Sequence, residues 1–170
     1  MSPRGADLDP RRQATRYIAV VGPGEASAAE LDAAEAVGTG LAARGVTVIT
    51  GGLGGVMAAA SRGAMRAGGT TVGLLPGADR AEANPWVQIA IATGLGELRN
   101  GLVARAADAM IAIGGAFGTL SEVALALKIG VPVVGLNTWA IDGIAAVDNA
   151  EEAVRLACRS SPRAPRGSAR

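Results

Sequence analysis

Histidine is absent from this chain of 170 residues, and cysteine and lysine occur once each, as Cys158 and Lys128. Without histidine there is no imidazole base, no Ser-His-Asp triad and no histidine metal site. With a single thiol there is no intrachain disulfide and no cysteine zinc cluster, so no metal site is expected. A pyridoxal phosphate enzyme would have to form its Schiff base on Lys128. That residue stands late in an expected helix, just before Gly130-Val131-Pro132, where a solvated cation at a helix C-terminus is the simpler reading. Aromatic residues number four, Tyr17, Trp86, Phe117 and Trp139, and the net charge is only +1. A nearly neutral chain with no aromatic platforms among basic residues lacks what nucleic acid binding needs. No apolar run reaches the roughly 18 residues of a membrane span, and the N-terminus has no apolar signal core. A cytoplasmic protein with neither nucleic acid nor membrane as partner is therefore expected.

What remains is a chain 49% apolar, its interior built of Ala, Val, Leu and Ile. Small aliphatic cores suit parallel sheets covered by helices. Residues 1–15, rich in charge, Pro and Gly, read as a disordered leader, and residues 159–170, basic and without an apolar face, as a disordered tail. Between them, residues 16–158 read as one domain. Apolar runs at 17–21, 46–50, 70–75, 86–91, 109–113 and 131–136 predict six strands, and the residues around Trp139 and Asp142-Gly143 an irregular segment. Helical spacing follows most strands: Leu31, Ala34, Val37 and Leu41; Val56, Ala60 and Ala64; Leu98, Leu102 and Ala106; Leu120, Val123, Ala124 and Leu127; and a last helix from about Asn149 to Cys158. The alternation predicts a Rossmann-like, doubly wound α/β fold, one parallel sheet with helices on both faces.

Three glycine-rich turns join strand to helix: Gly22-Pro23-Gly24, Gly51-Gly52-Leu53-Gly54-Gly55, and Gly114-Gly115-Ala116-Phe117-Gly118-Thr119. At such turns free backbone N–H groups and the helix dipole favour an anion, and in a parallel sheet all three fall at the ligand-binding edge. The first turn is not a dinucleotide fingerprint. Ser27 takes the third glycine position, and the second strand ends at Gly51 with no carboxylate for a ribose diol. The second turn reads equally as a ligand cradle and as a tight packing turn. Arg99 and Asn100 fall near the start of a helix at the same edge, where a cation opposes the dipole; Arg99 reads either as a surface side chain or as a ligand for phosphate. Glu122 has two readings as well. Thr119-Leu120-Ser121-Glu122 has capping-box spacing, as does Ser27-Ala28-Ala29-Glu30.

Residues 114–122 resemble the signature PGGxGTxxE of the LOG family, the cytokinin riboside 5′-monophosphate phosphoribohydrolases once labelled lysine decarboxylases. Thr50 to Met57 is similar to that family's second glycine turn, Leu75-Pro76 to the end of its third strand, and Arg99 to the arginine before the signature, so the resemblance runs from about Ile18 to Leu136. The pair Arg99-Asn100 is similar to a small bacterial branch related to LOG, to DprA and to molybdenum cofactor carrier proteins. The resemblance implies a nucleotide-binding fold and a homodimer or higher homo-oligomer. For LOG enzymes it implies hydrolysis of a nucleoside 5′-monophosphate to free base and ribose 5-phosphate, with no required cofactor. Gly22, Gly24, Gly51, Gly52, Gly54, Gly55, Asn100 and Gly115 to Thr119 would then hold the nucleotide, Arg99 its phosphate or departing base, and Glu122 the oxocarbenium-like ribose. The retention of both Arg99 and Glu122 favours hydrolysis. The alternative is a non-catalytic carrier of a nucleotide or a molybdopterin-type ligand, favoured by two departures: Gly114 replaces the signature proline and Ala116 its second glycine. A positive φ at position 116 would strain alanine. The loop 78–86 also departs from the LOG pattern, which bears on recognition of a base.

Overall fold

Short β-branched runs supply a sheet of seven strands, every neighbouring pair parallel. The computed structural model describes residues 15–159. Its strands are β1 (Tyr17–Val21), β2 (Thr47–Thr50), β3 (Thr71–Leu75), β4 (Ile89–Ala92), β5 (Ala109–Ile113), β6 (Val133–Leu136) and β7 (Ile144–Val147), in the order β4-β3-β2-β1-β5-β6-β7. The expected leader and tail, apart from Thr15 and Arg159, lie outside the described residues.

Side-chain alternation along β1 divides the core in two. Ile18 and Val20 join a cluster with Val37 of α1 (Ala28–Ala42), Ala60 of α2 (Val56–Arg66) and Val154 of α5 (Ala150–Arg159). Ala19 and Val21 join the other cluster, with Val103 of α3 (Asn100–Ala106) and Val123 of α4 (Phe117–Lys128). A strand buried on both faces has no polar positions to alternate, which is why these runs read as continuously apolar. The chain winds outward from β1 to β4 and returns to place β5 beside β1. That reversal is the topological switch point where doubly wound sheets open a crevice. Among the described residues, no helix is long and apolar enough to cross a membrane.

The structure departs from the expected elements in three places. A seventh strand, Ile144–Val147, replaces part of the irregular segment after Trp139. Its four residues, set directly after Asp142-Gly143 with Gly143 at φ 97°, are too few for a local signal. The fourth strand begins at Ile89 rather than Trp86, because the Thr71 hydroxyl occupies the intervening backbone. It donates to the Trp86 carbonyl at 2.8 Å and accepts from the Gln88 N–H at 2.9 Å. The helix around Leu98 is a 3₁₀ turn at Gly96–Arg99 that hands over to α3.

Candidate functional site

Beyond the carboxyl ends of β1, β2, β3 and β5 lies a cleft of about 520 Å³. Its walls are Gly22, Pro23 and Gly24 after β1, Leu53 and Met57 after β2, Pro76 after β3, and Ala116 to Thr119 after β5, closed by Arg99, Asn100 and Glu122. Another hollow of about 530 Å³, between α1 and α5, is lined by Asp32, Glu35, Arg44 and Glu151 among small residues, none of them a buried polar group lacking a partner. The cleft differs in that respect.

Two charged side chains are buried in its wall, Arg99 at 7% exposure and Glu122 at 6%. Arg99 runs beneath the second glycine turn, where its Nη1 donates to the Leu74 carbonyl at 2.8 Å. Gly51 is bare for that reason, since a Cβ there would run into the Arg99 guanidinium. The Arg99 Nε is buried and has no partner, and the same holds for Oγ1 of Thr119, whose residue is 2% exposed. Buried donors without acceptors cost free energy, and two of them in one cleft wall call for an explanation.

The third group of donors is the first turn of α4. Ala116 is its N-cap, in extended conformation (φ −136°, ψ 169°), and no side chain caps the turn. The N–H groups of Phe117, Gly118 and Thr119 therefore have no side-chain acceptor, and the helix dipole adds to their pull on an anion. Ala116 is unstrained, so loss of the signature's second glycine leaves the turn intact. Asn100 braces it from below. Its Nδ2 donates to Ser121 Oγ at 2.9 Å, and that hydroxyl donates to the Gly118 carbonyl at 2.7 Å.

Because α4 starts at Phe117, Thr119 and Glu122 lie inside the helix and form no capping box. The box at Ser27 is real: the Ser27 N–H donates to Glu30 Oε2 at 2.7 Å and the Glu30 N–H to Ser27 Oγ at 3.3 Å. Glu122 instead faces the cleft. Burial pushes its pKa up to about 7, against the pull of Arg99. Burial likewise lowers the Arg99 pKa from its ordinary value, against the opposing field of Glu122. The two make no direct ion pair, so Glu122 exchanges its proton near neutrality beside a cation that influences it through space.

Of the residues singled out in the sequence, Gly22, Gly24, Arg99, Asn100, Ala116, Phe117, Gly118, Thr119 and Glu122 line the cleft, while Gly51, Gly52, Gly54, Gly55 and Gly115 do not. The second turn packs. The Val56 N–H that opens α2 donates to the Pro23 carbonyl at 3.1 Å, and a Cβ on Gly55 (φ 59°) would strike the carbonyls of Pro23 and Gly24. Asn84 ties the loop 78–86 to the same turn, donating through Nδ2 to the carbonyls of Gly52 (3.2 Å) and Leu53 (2.9 Å). Gly115 faces the opposite side of its loop, against Trp139. Pro23, Leu53, Met57 and Pro76 also line the cleft; each stood inside a quoted stretch without being singled out as a site residue, whereas Glu97 carried no motif. Ser121, three residues after Gly118, also lines it and was absorbed by the capping-box spacing.

Gly114 shows why this turn rejects the signature proline. Its φ is 61°, its N–H donates to the Leu136 carbonyl at 3.1 Å, and Glu30 occupies the space a Cβ would need. Proline holds φ near −65° and has no N–H. Gly114→Pro is expected to destabilise the protein by about 3 kcal/mol, measured as a shift of the urea midpoint.

The profile of the SLOG cluster4 family matches residues 15–164, the whole sheet and every wall of the cleft. The chain belongs to the SLOG cluster4 family. The LOG resemblance thus stands at the level of the SLOG superfamily, which includes LOG and DprA-like proteins. A protein of Archaeoglobus fulgidus described only as uncharacterized is 40% identical over 145 residues, 85% of this chain and 95% of that one. The molybdenum cofactor binding protein of the phototrophic bacterium Rippkaea orientalis has a similar structure, with TM-score 0.81 and 37% identity over 85% of this chain and 96% of that one. The molybdenum cofactor carrier protein of Chlamydomonas reinhardtii superposes with TM-score 0.78 and 34% identity, covering 86% and 98% of the two chains. This SLOG chain therefore shares its single-domain architecture with proteins named for binding or carrying that cofactor.

Proposed function

We propose that this SLOG protein is a carrier that binds a phosphate-bearing ligand, a nucleotide or a molybdopterin-type cofactor, in the cleft and releases it unchanged. The observation that carries this reading is the pair of buried, unpartnered donors, Arg99 Nε and Thr119 Oγ1, in the same cleft as an uncapped helix N-terminus. A phosphate monoester has oxygens enough for all of them, and charge-assisted bonds to guanidinium and backbone N–H are among the strong ones. Molybdopterin ends in such a phosphate, so Thr119, Arg99 and the turn at 117–119 would hold that end. Leu53, Met57, Pro76 and Phe117 offer apolar surface to the ring system of either ligand. The similarity to the Rippkaea and Chlamydomonas proteins supports the molybdopterin class as cargo.

A specific observation keeps hydrolysis as the second reading. Glu122 and Arg99 are buried together in the cleft, and Glu122 titrates near neutrality. As a carboxylate Glu122 would stabilise an oxocarbenium-like ribose, and Arg99 would stabilise negative charge on a departing base. One experiment separates the two readings. The protein is titrated calorimetrically with AMP and with molybdopterin, and the AMP sample is then chromatographed. Saturable binding with all ligand recovered intact is the expected outcome. Free adenine that disappears with Glu122→Ala replaces the carrier with the hydrolase.

A further inference from the structure

Glu122 stands three residues along α4 from Thr119, and side chains at that spacing are neighbours on one face of a helix. Both line the cleft, together with Arg99 and with Phe117 and Gly118 of the uncapped turn. An acid is thus built into the same wall as the donors that favour an anion. Arg99 does not pair with it. The Arg99 Nη1 is turned to the Leu74 carbonyl, and among the described residues neither oxygen of Glu122 enters a hydrogen bond or an ion pair.

Among the described residues no other charged side chain is buried. The strands packed beneath α4, β5 and β6, carry no titratable group. Arg105 is exposed in the last turn of α3, Lys128 is exposed at the far end of α4, and Asp142 is exposed beside Gly143, which lies against Leu127. Glu97, the other acid of the cleft wall, is exposed and therefore screened by solvent. With Glu122 ionised, the two buried charges cancel. A phosphate monoester, dianionic above about pH 6, would then meet a carboxylate at close range with no cationic excess to hold it. With Glu122 protonated, the wall is cationic and the carboxyl O–H becomes one more donor to the phosphate. Burial already favours that form, pushing the Glu122 pKa up to about 7.

We propose that Glu122 binds the ligand as the neutral acid, donating its O–H to the phosphate, so that loading takes up one proton and alkaline pH unloads the cleft. The coupling rests on the cleft holding a phosphate-bearing ligand. The step is a proton transfer from solvent to a Glu122 carboxylate oxygen, and no bond of the ligand is made or broken. It also sets Glu122 against hydrolysis, because a neutral acid does not stabilise an oxocarbenium-like ribose.

Calorimetric titration of the full chain at pH 7, 8 and 9 tests the coupling, with AMP, or with molybdopterin where AMP does not bind. In that window the phosphate itself no longer titrates. The dissociation constant is expected to rise about 50-fold from pH 7 to pH 9. At pH 8, two buffers of different ionisation enthalpy should report the uptake of about one proton per ligand bound, a count that needs no variant. Glu122→Gln keeps the shape and a donor but cannot ionise. Its affinity should stay level across the range, its proton uptake should vanish, and at pH 9 it should bind the ligand more tightly than the wild type. A level wild-type affinity without proton uptake overturns the coupling and leaves the carrier reading standing. So does a pH dependence that survives in Glu122→Gln, which would belong to Arg99 or another group. Absence of AMP and molybdopterin binding at every pH overturns both.

Discussion

Glu122→Gln is expected to stabilise the protein at pH 8 by about 3 kcal/mol and at pH 5 by less than about 1 kcal/mol. The carboxyl sits near 4.5 when solvated and is pushed up to about 7 in the fold. Between those values the native state binds more protons than the unfolded chain, so stability falls as pH rises through the interval. Above about 7 the cost of a buried, ionised carboxylate is present in full. Glutamine has the shape of the protonated acid and does not titrate, so it removes that cost at high pH only. Urea unfolding of both proteins at pH 5 and pH 8 measures it, and the difference between them cancels every other titrating group. Parallel pH dependence in the two proteins would show that Glu122 is ordinary in the fold. A wild type that tolerates such a cost at a cleft wall fits a group kept for a ligand rather than for stability.

Arg99→Met is expected to weaken AMP or molybdopterin binding by about 100-fold while the fold persists. Methionine fills the space beneath Gly51 and Leu74 without a charge. The structural loss is one charge-assisted hydrogen bond to the Leu74 carbonyl, worth about 1.5–3 kcal/mol, whereas a bound ligand would lose the one buried cation among the described residues of the cleft wall. Calorimetry on the variant, with its melting temperature recorded alongside, separates the two effects. Undiminished affinity would remove the guanidinium from the site and leave it a bracing role under the second glycine turn. Arg99→Lys is not a rescue, because a lysine ammonium cannot stand at both the Nε and Nη1 positions.

The sheet and its glycine turns were legible because their causes are local. A strand buried on both faces must be apolar along its length, and a turn that admits an anion must expose backbone N–H groups; both leave marks within a few residues. Glu122 was not legible in the same way. The spacing Thr119 to Glu122 is that of Ser27 to Glu30, yet only the latter forms a box. What separates them is where each helix begins. α4 begins at Phe117, two residues before Thr119, behind an extended Ala116 that follows Gly114 in left-handed conformation and Gly115 against Trp139. None of those constraints comes from the segment itself.

The glycines divide along the same line. Composition marks all three turns alike, but Gly51 and Gly55 are bare because Arg99 and the Pro23 carbonyl come close. A side chain at Gly24 or Gly118 would instead meet open space, and both glycines border the cleft. The apolar spacing of Leu98, Leu102 and Ala106 likewise indicated a helix face and not its direction. By itself the sequence determined the alternation of strands and helices, the sheet edge at which the glycine turns lie and the residue types there, since these follow from periodicity and backbone chemistry along the chain. The tertiary structure alone decided which glycines border the cleft, that Arg99 and Glu122 are buried together, and that one apolar face was left uncovered. Burial and field at a point are set by elements far apart in the chain, and no local spacing records them.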